Sequence, residues 1–419
     1  MTRRAAIQSG DLPMILRSLA TMLALAAPAL ASAATGHSCE AQWHASWASS
    51  QKEPDQADTG IAAKLRDATL RQTVRLSGGG ARLRIHLSNL IGTAPLAIDS
   101  VHLALAEASG SARVRAGSDH TLSFGGRTQV TIPAGADYVS DPIAFPVPDR
   151  TTLSISLHLP QAPSGVTGHP GSRTSSYIAA GNHSADAALA GERVQHWYFL
   201  SGVDVAGCGG TIVALGDSIT DGHGATTDGD DRWTDVLAMR LPLGGGLSIV
   251  NQGIGGNRVL RDGLGPNALA RLDRDVLAQP GVRSLIVLEG VNDLGVLTRD
   301  HPVPEAEHTA LVADLEQGYR QIVARAHDRG IKVIGATILP FGGSAYYHPG
   351  APGEADRVAI NRWIRSAGVF DAVVDFDAVM RDPSRPERLA PAFDSGDGLH
   401  PSPAGYAKMG QAVPIALFQ

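Results

Sequence analysis

The hydrophobic rhythm of the chain changes near Val205 to Gly210, and no single class of fold carries both rhythms. Ahead of that point apolar side chains recur at alternate positions: Leu70, Val74 and Leu76, then Leu83, Ile85 and Leu87, then Leu153, Ile155, Leu157 and Leu159. Successive side chains of a strand point to opposite faces, so this alternation marks half-buried strands. Turn signals separate the runs, at Gly78-Gly79-Gly80, Gly125-Gly126, Pro133-Ala134-Gly135 and Pro163-Ser164-Gly165. Short strands spaced in this way, with no long helical pattern between them, predict an all-β sandwich of jelly-roll type over residues 34–205. Past the change, continuous apolar runs at 212–215, 248–251, 285–288, 333–338 and 372–376 alternate with helical patterns at 306–329 and 352–366. Strands buried on both faces and joined by helices predict a parallel sheet covered by helices on each side, over residues 211–419. A chain of 419 residues has room for both domains.

Residues 1–33 read as an address. Arg3, Arg4 and Arg17 precede the apolar run Leu19 to Leu30, and Ala31-Ser32-Ala33 supplies the small residues of a cleavage site. Together they predict a secretory signal peptide cut after Ala33, and a secreted or periplasmic protein. The apolar run is about a dozen residues against the ~20 that span a bilayer, so no stable membrane anchor is expected. The Arg3-Arg4 pair hints at twin-arginine export, against which Asp11 and the long gap to the apolar run weigh. With 35 Lys+Arg against 41 Asp+Glu and no block of five basic residues, nucleic acid and anionic membranes are excluded as partners. Cleavage removes three arginines and one aspartate and moves the net charge from −6 to −8. The two cysteines, Cys39 and Cys208, are expected to pair in an oxidising compartment, tying the start of the mature chain to the joint between the domains. No histidine stands at finger-like spacing from either, so no metal is expected there.

The chemistry-bearing residues collect in the second half. The buried run Thr211 to Leu215 ends in Gly216-Asp217-Ser218, which places a serine at the carboxyl edge of the sheet, where ligands of such folds bind. Alone, this triplet is as often only a turn or a helix cap. The block Asn251-Gln-Gly-Ile-Gly-Gly-Asn257 follows the next strand, Gly290-Val-Asn-Asp293 the third, and Asp397-Gly-Leu-His400 stands near the C-terminus. A serine hydroxyl becomes a useful nucleophile when an imidazole takes its proton, and the imidazole needs an acceptor on its other nitrogen. Asp397 and His400, three residues apart, can converge from one tight turn.

These four blocks, in this order, resemble the SGNH hydrolases, also called GDSL esterases and lipases, over about half the chain. The resemblance implies a three-layer flavodoxin-like domain and an ester hydrolase that requires no cofactor. It assigns Ser218 as nucleophile, His400 as general base and Asp397 as the carboxylate that orients it. The oxyanion hole would be the backbone N–H groups of Ser218 and Gly256 and the side-chain amide of Asn292, with Gly253 and Gly255 as rivals for the glycine. Asp217 and Asp293 are expected to brace the active-site loops. The wording Gly-Asp-Ser-Ile-Thr-Asp-Gly and Gly-Gly-Asn-Arg is similar to that of a secreted subgroup associated with polysaccharide deacetylation. The function expected is therefore hydrolysis of small acyl esters, acetyl first, on small-molecule or polysaccharide carbohydrate substrates. The alternatives are a lipase or arylesterase acting on longer or aromatic acyl groups, and a non-catalytic carbohydrate-binding protein of the surface or periplasm.

Three further features carry two readings each. Arg258 to Asp262 either meets substrate hydroxyls or is solvated loop, and Tyr346-Tyr347-His348 either walls the pocket or packs its own loop down. Trp43, Trp47 and Trp197 flank the first domain, where packing is favoured over sugar stacking.

Overall fold

In the computed structural model the described residues are 42–55, 60–244 and 246–419. The expected signal peptide and Cys39 lie outside them; Cys208 is exposed in the turn between the two halves.

The first half is rich in antiparallel sheet. One sheet runs in the order Trp43–Ala48, Leu200–Ala206, Gly80–Ser88, the last of these flanked by Asp137–Val139 and Ile143–Val147. A second orders Glu192–Val194, Ser176–Ala180, Ala68–Arg75, Thr152–Leu159, Ser100–Leu105 and His120–Thr121. Leu83, Ile85 and Leu87 of the first sheet meet Leu70, Val74, Leu153, Ile155 and Leu157 of the second in one core, so the alternation in the sequence is the inward face of both. In the second sheet most of the intervening polar residues are buried too. Arg71, for example, donates to Ser156 Oγ at 2.9 Å, Ala112 O at 2.8 Å and Asp186 O at 2.6 Å, because loops lie over the outer face of that sheet.

The second half is built on a five-stranded parallel sheet in the order Leu247–Gly253, Gly210–Gly216, Val282–Leu288, Lys332–Ala336, Ala372–Val374. The first of these in sequence lies second in space, so the order reverses on its far side. At such a switch point the loops leaving adjacent strands part and open a crevice. Helices Trp233–Arg240 and Pro403–Ala412 pack together, as do Glu305–His327 and Gly350–Ser366. Burial on both faces explains the unbroken apolar run Ile212 to Leu215.

The halves are joined by hydrogen bonds as well as apolar contact. Ala45 N–H donates to Thr211 Oγ1 at 2.9 Å, Ile249 N–H donates to Ser77 Oγ at 3.0 Å, and Ser50 Oγ bonds Gln252 Oε1 at 2.7 Å and Asp275 Oδ2 at 2.8 Å. Among the described residues no helix is long and apolar enough to cross a membrane.

Candidate active site

The three strands at the switch point end level with one another: Gly216 pairs with Gly253 on one side and Leu288 on the other. Their loops therefore set Ser218, Gly256 and Asn292 around one opening. Asp217 caps the short helix Ser218–Asp221, its Oδ1 accepting from Ile219 N–H at 2.8 Å, which fixes the serine on the first turn. Ser218 Oγ lies 2.8 Å from His400 Nε2, and His400 Nδ1 lies 2.6 Å from Asp397 Oδ2. The other oxygen of Asp397 accepts from the N–H of Leu399 at 2.9 Å and of His400 at 2.8 Å, so a single turn holds acid and imidazole together. Burial pushes the Asp397 carboxyl up, but the hydrogen bonds from His400 outweigh it and hold the group well below the usual carboxylate range. An ionised acceptor of this kind fixes which imidazole nitrogen faces the serine.

Gly256 takes φ +72°, the left-handed region that glycine enters without steric cost. Asn292 is held at both ends of its amide: Nδ2 donates to Asn257 O at 2.7 Å, and Oδ1 accepts from the Tyr347 hydroxyl at 2.6 Å. One Nδ2 hydrogen remains for the cavity. Asp293 accepts from the N–H groups of Val259 at 2.8 Å and Leu260 at 3.1 Å, tying the third loop to the second. Arg258 donates to Asp262 O, and Asp262 accepts from Asn267 N–H at 2.8 Å, so that segment braces itself.

The cavity over Ser218 encloses about 410 Å³. Its polar wall includes Lys52, His169, Arg173, Asp221 and His223, and its apolar rim includes Leu264, 65% exposed, and Tyr346, 60% exposed. Tyr347 is buried against the cavity, whereas Tyr346 lies at its mouth, with the Arg299 guanidinium 5.6 Å from its ring centre. Trp47 and Trp197 pack inside, edge-on at 4.9 Å, whereas Trp43 is half-buried and covered by Arg84 at 4.5 Å.

Several residues at the site carry no motif. Arg271, fully buried, donates to Gly216 O at 2.9 Å, Gln252 O at 2.6 Å, Asn257 Oδ1 at 2.9 Å and Glu289 Oε1 at 3.3 Å, gathering the ends of all three strands. In the sequence it shows only as a helical residue four before Asp275, its partner at 3.0 Å. Around it, burial pushes Asp217 up to about 7 and Asp293 up to about 6, and drives Glu289 well above its ordinary value. The like charges of this cluster add to the effect at Asp217 and Glu289, and Arg271 offsets it there only in part. The ring of His223 stands 4.0 Å from that of His400, and His169 Nε2 lies 2.9 Å from Asp221 Oδ1. Among the described residues one group, His223, Asp397 and His400, brings possible metal donors within 4.8 Å of one another. Asp397 and His400 are already committed to each other and to Ser218.

Residues 214–408 match the profile of the GDSL-like lipase/acylhydrolase family. Among solved structures, an aryl esterase from M. smegmatis is similar at 18% identity, covering 48% of this chain and 95% of that one, with a TM-score of 0.38. A carbohydrate acetylesterase from Sinorhizobium meliloti is similar at 15% identity over 50% of this chain and 100% of that one, also at 0.38. A GDSL-like lipase from Bacteroides thetaiotaomicron is similar at 19% identity over 50% and 87%, at 0.36. The chain has no match among curated proteins.

Proposed function

Because residues 214–408 form a GDSL-like lipase/acylhydrolase domain and the chain is a carboxylic ester hydrolase, we propose that it cleaves small acyl groups, acetyl first, from carbohydrate esters. The observation that carries this reading is the hydrogen-bonded line from Asp397 through His400 to Ser218, opening on a cavity whose wall sets Lys52, Arg173 and His223 among apolar side chains. In this reading Ser218 Oγ attacks the ester carbonyl as His400 Nε2 takes its proton. The oxyanion is met by the N–H groups of Ser218 and Gly256 and by the free hydrogen of Asn292 Nδ2, donors worth ~2.7–4 kcal/mol each in related acyl transfer. His400 returns the proton to the leaving alkoxide, and water then hydrolyses the acyl enzyme by the same route. A hydroxyl-rich leaving group suits a wall that offers Lys52, Arg173 and His223 as partners. A second reading rests on Leu264 and Tyr346: exposed apolar side chains at the mouth suit longer or aromatic acyl groups.

The remaining expectations belong with this reading. Residues 34–205 are taken as a jelly-roll-like sandwich domain, supported by the two sheets that share one core, and residues 211–419 as the hydrolase domain. Export with cleavage after Ala33, and a Cys39–Cys208 disulfide, follow from the leader and the cysteine pair in the sequence. The test is the hydrolysis rate of the mature protein on acetyl, butyryl and octanoyl esters and on acetylated xylan, with Ser218→Ala as the blank. Acetate release that depends on Ser218 supports the proposal. A rate that rises with chain length moves the assignment to the second reading, and turnover by Ser218→Ala removes the serine from its role.

A further inference from the structure

The cavity wall opposite the motif loops comes from the other half of the chain. The segment around Gly168–His169 crosses the Ser218–Asp221 helix, and it does so in contact: a Cβ on Gly171 would stand 1.9 Å from Asp221 Oδ2. Two residues on, Arg173 is held at φ +49°, in the left-handed region where a side chain is strained. Its neighbours impose that conformation. Asp228 N–H donates to Arg173 O at 2.9 Å, the Asp228 carboxylate takes the N–H and hydroxyl of Ser175 at 2.6 Å each, and the Arg232 guanidinium donates to Ser172 O. Strain maintained in this way collects at functional positions.

The side chain so presented has an unusual set of partners. Arg193 and Arg232 close by each end on a carboxylate, Asp228 at 3.0 Å and Asp235 at 3.4 Å. Arg173 instead reaches His223 Nδ1 at 3.2 Å, and its Nε is buried without a hydrogen-bond partner among the described residues. Asp221, an acid of the same wall, spends Oδ1 on His169 at 2.9 Å and feels the Arg173 charge without a hydrogen bond to it among the described residues. The other cation of the wall, Lys52, is paired with Asp55. His223 in turn lies 4.0 Å from His400, so the guanidinium stands one ring away from the catalytic imidazole. Burial, then the neighbouring His400 and Arg173, lower the pKa of His223, which keeps Nδ1 an acceptor and leaves the arginine's charge uncompensated by it.

We propose that Arg173 docks a carboxylate on the alcohol side of the substrate, so that the preferred ester is an acylated acidic sugar. The planar fork of a guanidinium matches a carboxylate with two parallel hydrogen bonds, and a cavity of this size accepts a sugar ring between that anchor and Ser218. This rests on the carbohydrate-ester reading and narrows its substrate class. It also gives the first half of the chain a part in specificity, because the anchor lies there, while Asp228 and Arg232 of the second half hold its backbone.

The test compares acetate release from two probes that are similar in size and differ in charge: an O-acetylated methyl glucuronoside and the primary amide of its carboxylate, which carries no second ester to cleave. The wild-type protein is expected to favour the acid at least tenfold in kcat/KM, mainly through KM, with the preference shrinking as salt is raised. In Arg173→Gln the ratio of acid to amide should fall to near one, and Arg173→Lys should keep part of it. Equal kcat/KM for the two probes in the wild-type protein overturns the proposal without any variant, as does a preference that survives in Arg173→Gln. Ser218-dependent cleavage of 4-nitrophenyl acetate with neither sugar touched overturns the carbohydrate reading, and the carboxylate anchor falls with it. No Ser218-dependent cleavage of any probe overturns the serine mechanism itself.

Discussion

The hydroxyl of Tyr347 donates to Oδ1 of Asn292 at 2.6 Å, and that contact aims the amide nitrogen of Asn292 at the cavity over Ser218. Burial raises the phenol pKa, so it stays a donor at any working pH. Without the hydroxyl the amide can rotate about its remaining bond to Asn257 O. Tyr347→Phe is therefore expected to lower kcat by about 5- to 30-fold, the equivalent of about 1–2 kcal/mol for one lost hydrogen bond in a preorganised site. KM should change little, because the contact matters once negative charge develops on the carbonyl oxygen. Steady-state kinetics on an acetyl ester check this, and an unchanged kcat removes Tyr347 as a positioning residue.

Gly256 makes a related demand on the backbone. A β-carbon there would have to accept φ +72° and would stand 2.6 Å from Leu264 Cδ1. Leu264 is exposed and can move aside, so the strain falls on the backbone and turns the N–H away from its direction. Gly256→Ala is expected to cost about 1–2 kcal/mol of stability and to lower kcat more than tenfold. A variant with wild-type kcat transfers the oxyanion role to Gly253 or Gly255.

The buried pair His169 and Asp221 joins the two halves at the floor of the cavity. Burial pushes Asp221 up, and His169, Arg173 and Arg232 together bring it below the ordinary carboxylate value. Removing the histidine alone strands a buried charge, which typically costs about 3–5 kcal/mol. His169→Leu should show that loss in urea unfolding, and the double variant His169→Leu/Asp221→Leu should recover a large part of it. A single variant within about 1 kcal/mol of wild type would mean that solvent reaches Asp221.

These contacts mark where reading the sequence stops. Ser218, Gly256, Asn292, Asp397 and His400 are legible because each stands in a short block whose order is informative, and the parallel strands because burial on both faces leaves unbroken apolar runs. The inward face of the first half is legible from its period of two. Its buried polar face is not, since Arg71 looks like a solvated strand residue until the covering loops are in place. His169, Arg173 and His223 carry no local signal. They become site residues only when the loop that carries His169 and Arg173 folds over the helix that begins at Ser218. Arg271 is hidden for the same reason, as its partners Gly216, Gln252 and Glu289 come from three different strands' ends.

The acidic cluster beneath the serine predicts a pH dependence of stability whose sign follows from proton counts. Burial, reinforced by Asp293, raises Asp217 to about 7 against the hydrogen bond from Ile219, whereas in the unfolded chain it titrates near 3.8. Between those values the folded state holds the proton that the unfolded state has lost. Stability from this group is therefore fully present below pH 4 and drains away as pH rises toward 7, by up to about 1.4 kcal/mol per pH unit. The loss belongs to the cluster and not to one residue, since the Asp217 charge raises Glu289 and Asp293 raises both. Asp217→Asn keeps an oxygen to cap Ile219 N–H and removes one charge from the cluster. Compared with wild type, its Tm should improve steadily from pH 4.5 to 7.5, by several degrees in all. Because both proteins carry the same other carboxylates, the difference between their Tm values isolates this cluster. A difference that stays constant over that range would mean that Asp217 is ionised throughout and that Arg271 compensates it in full.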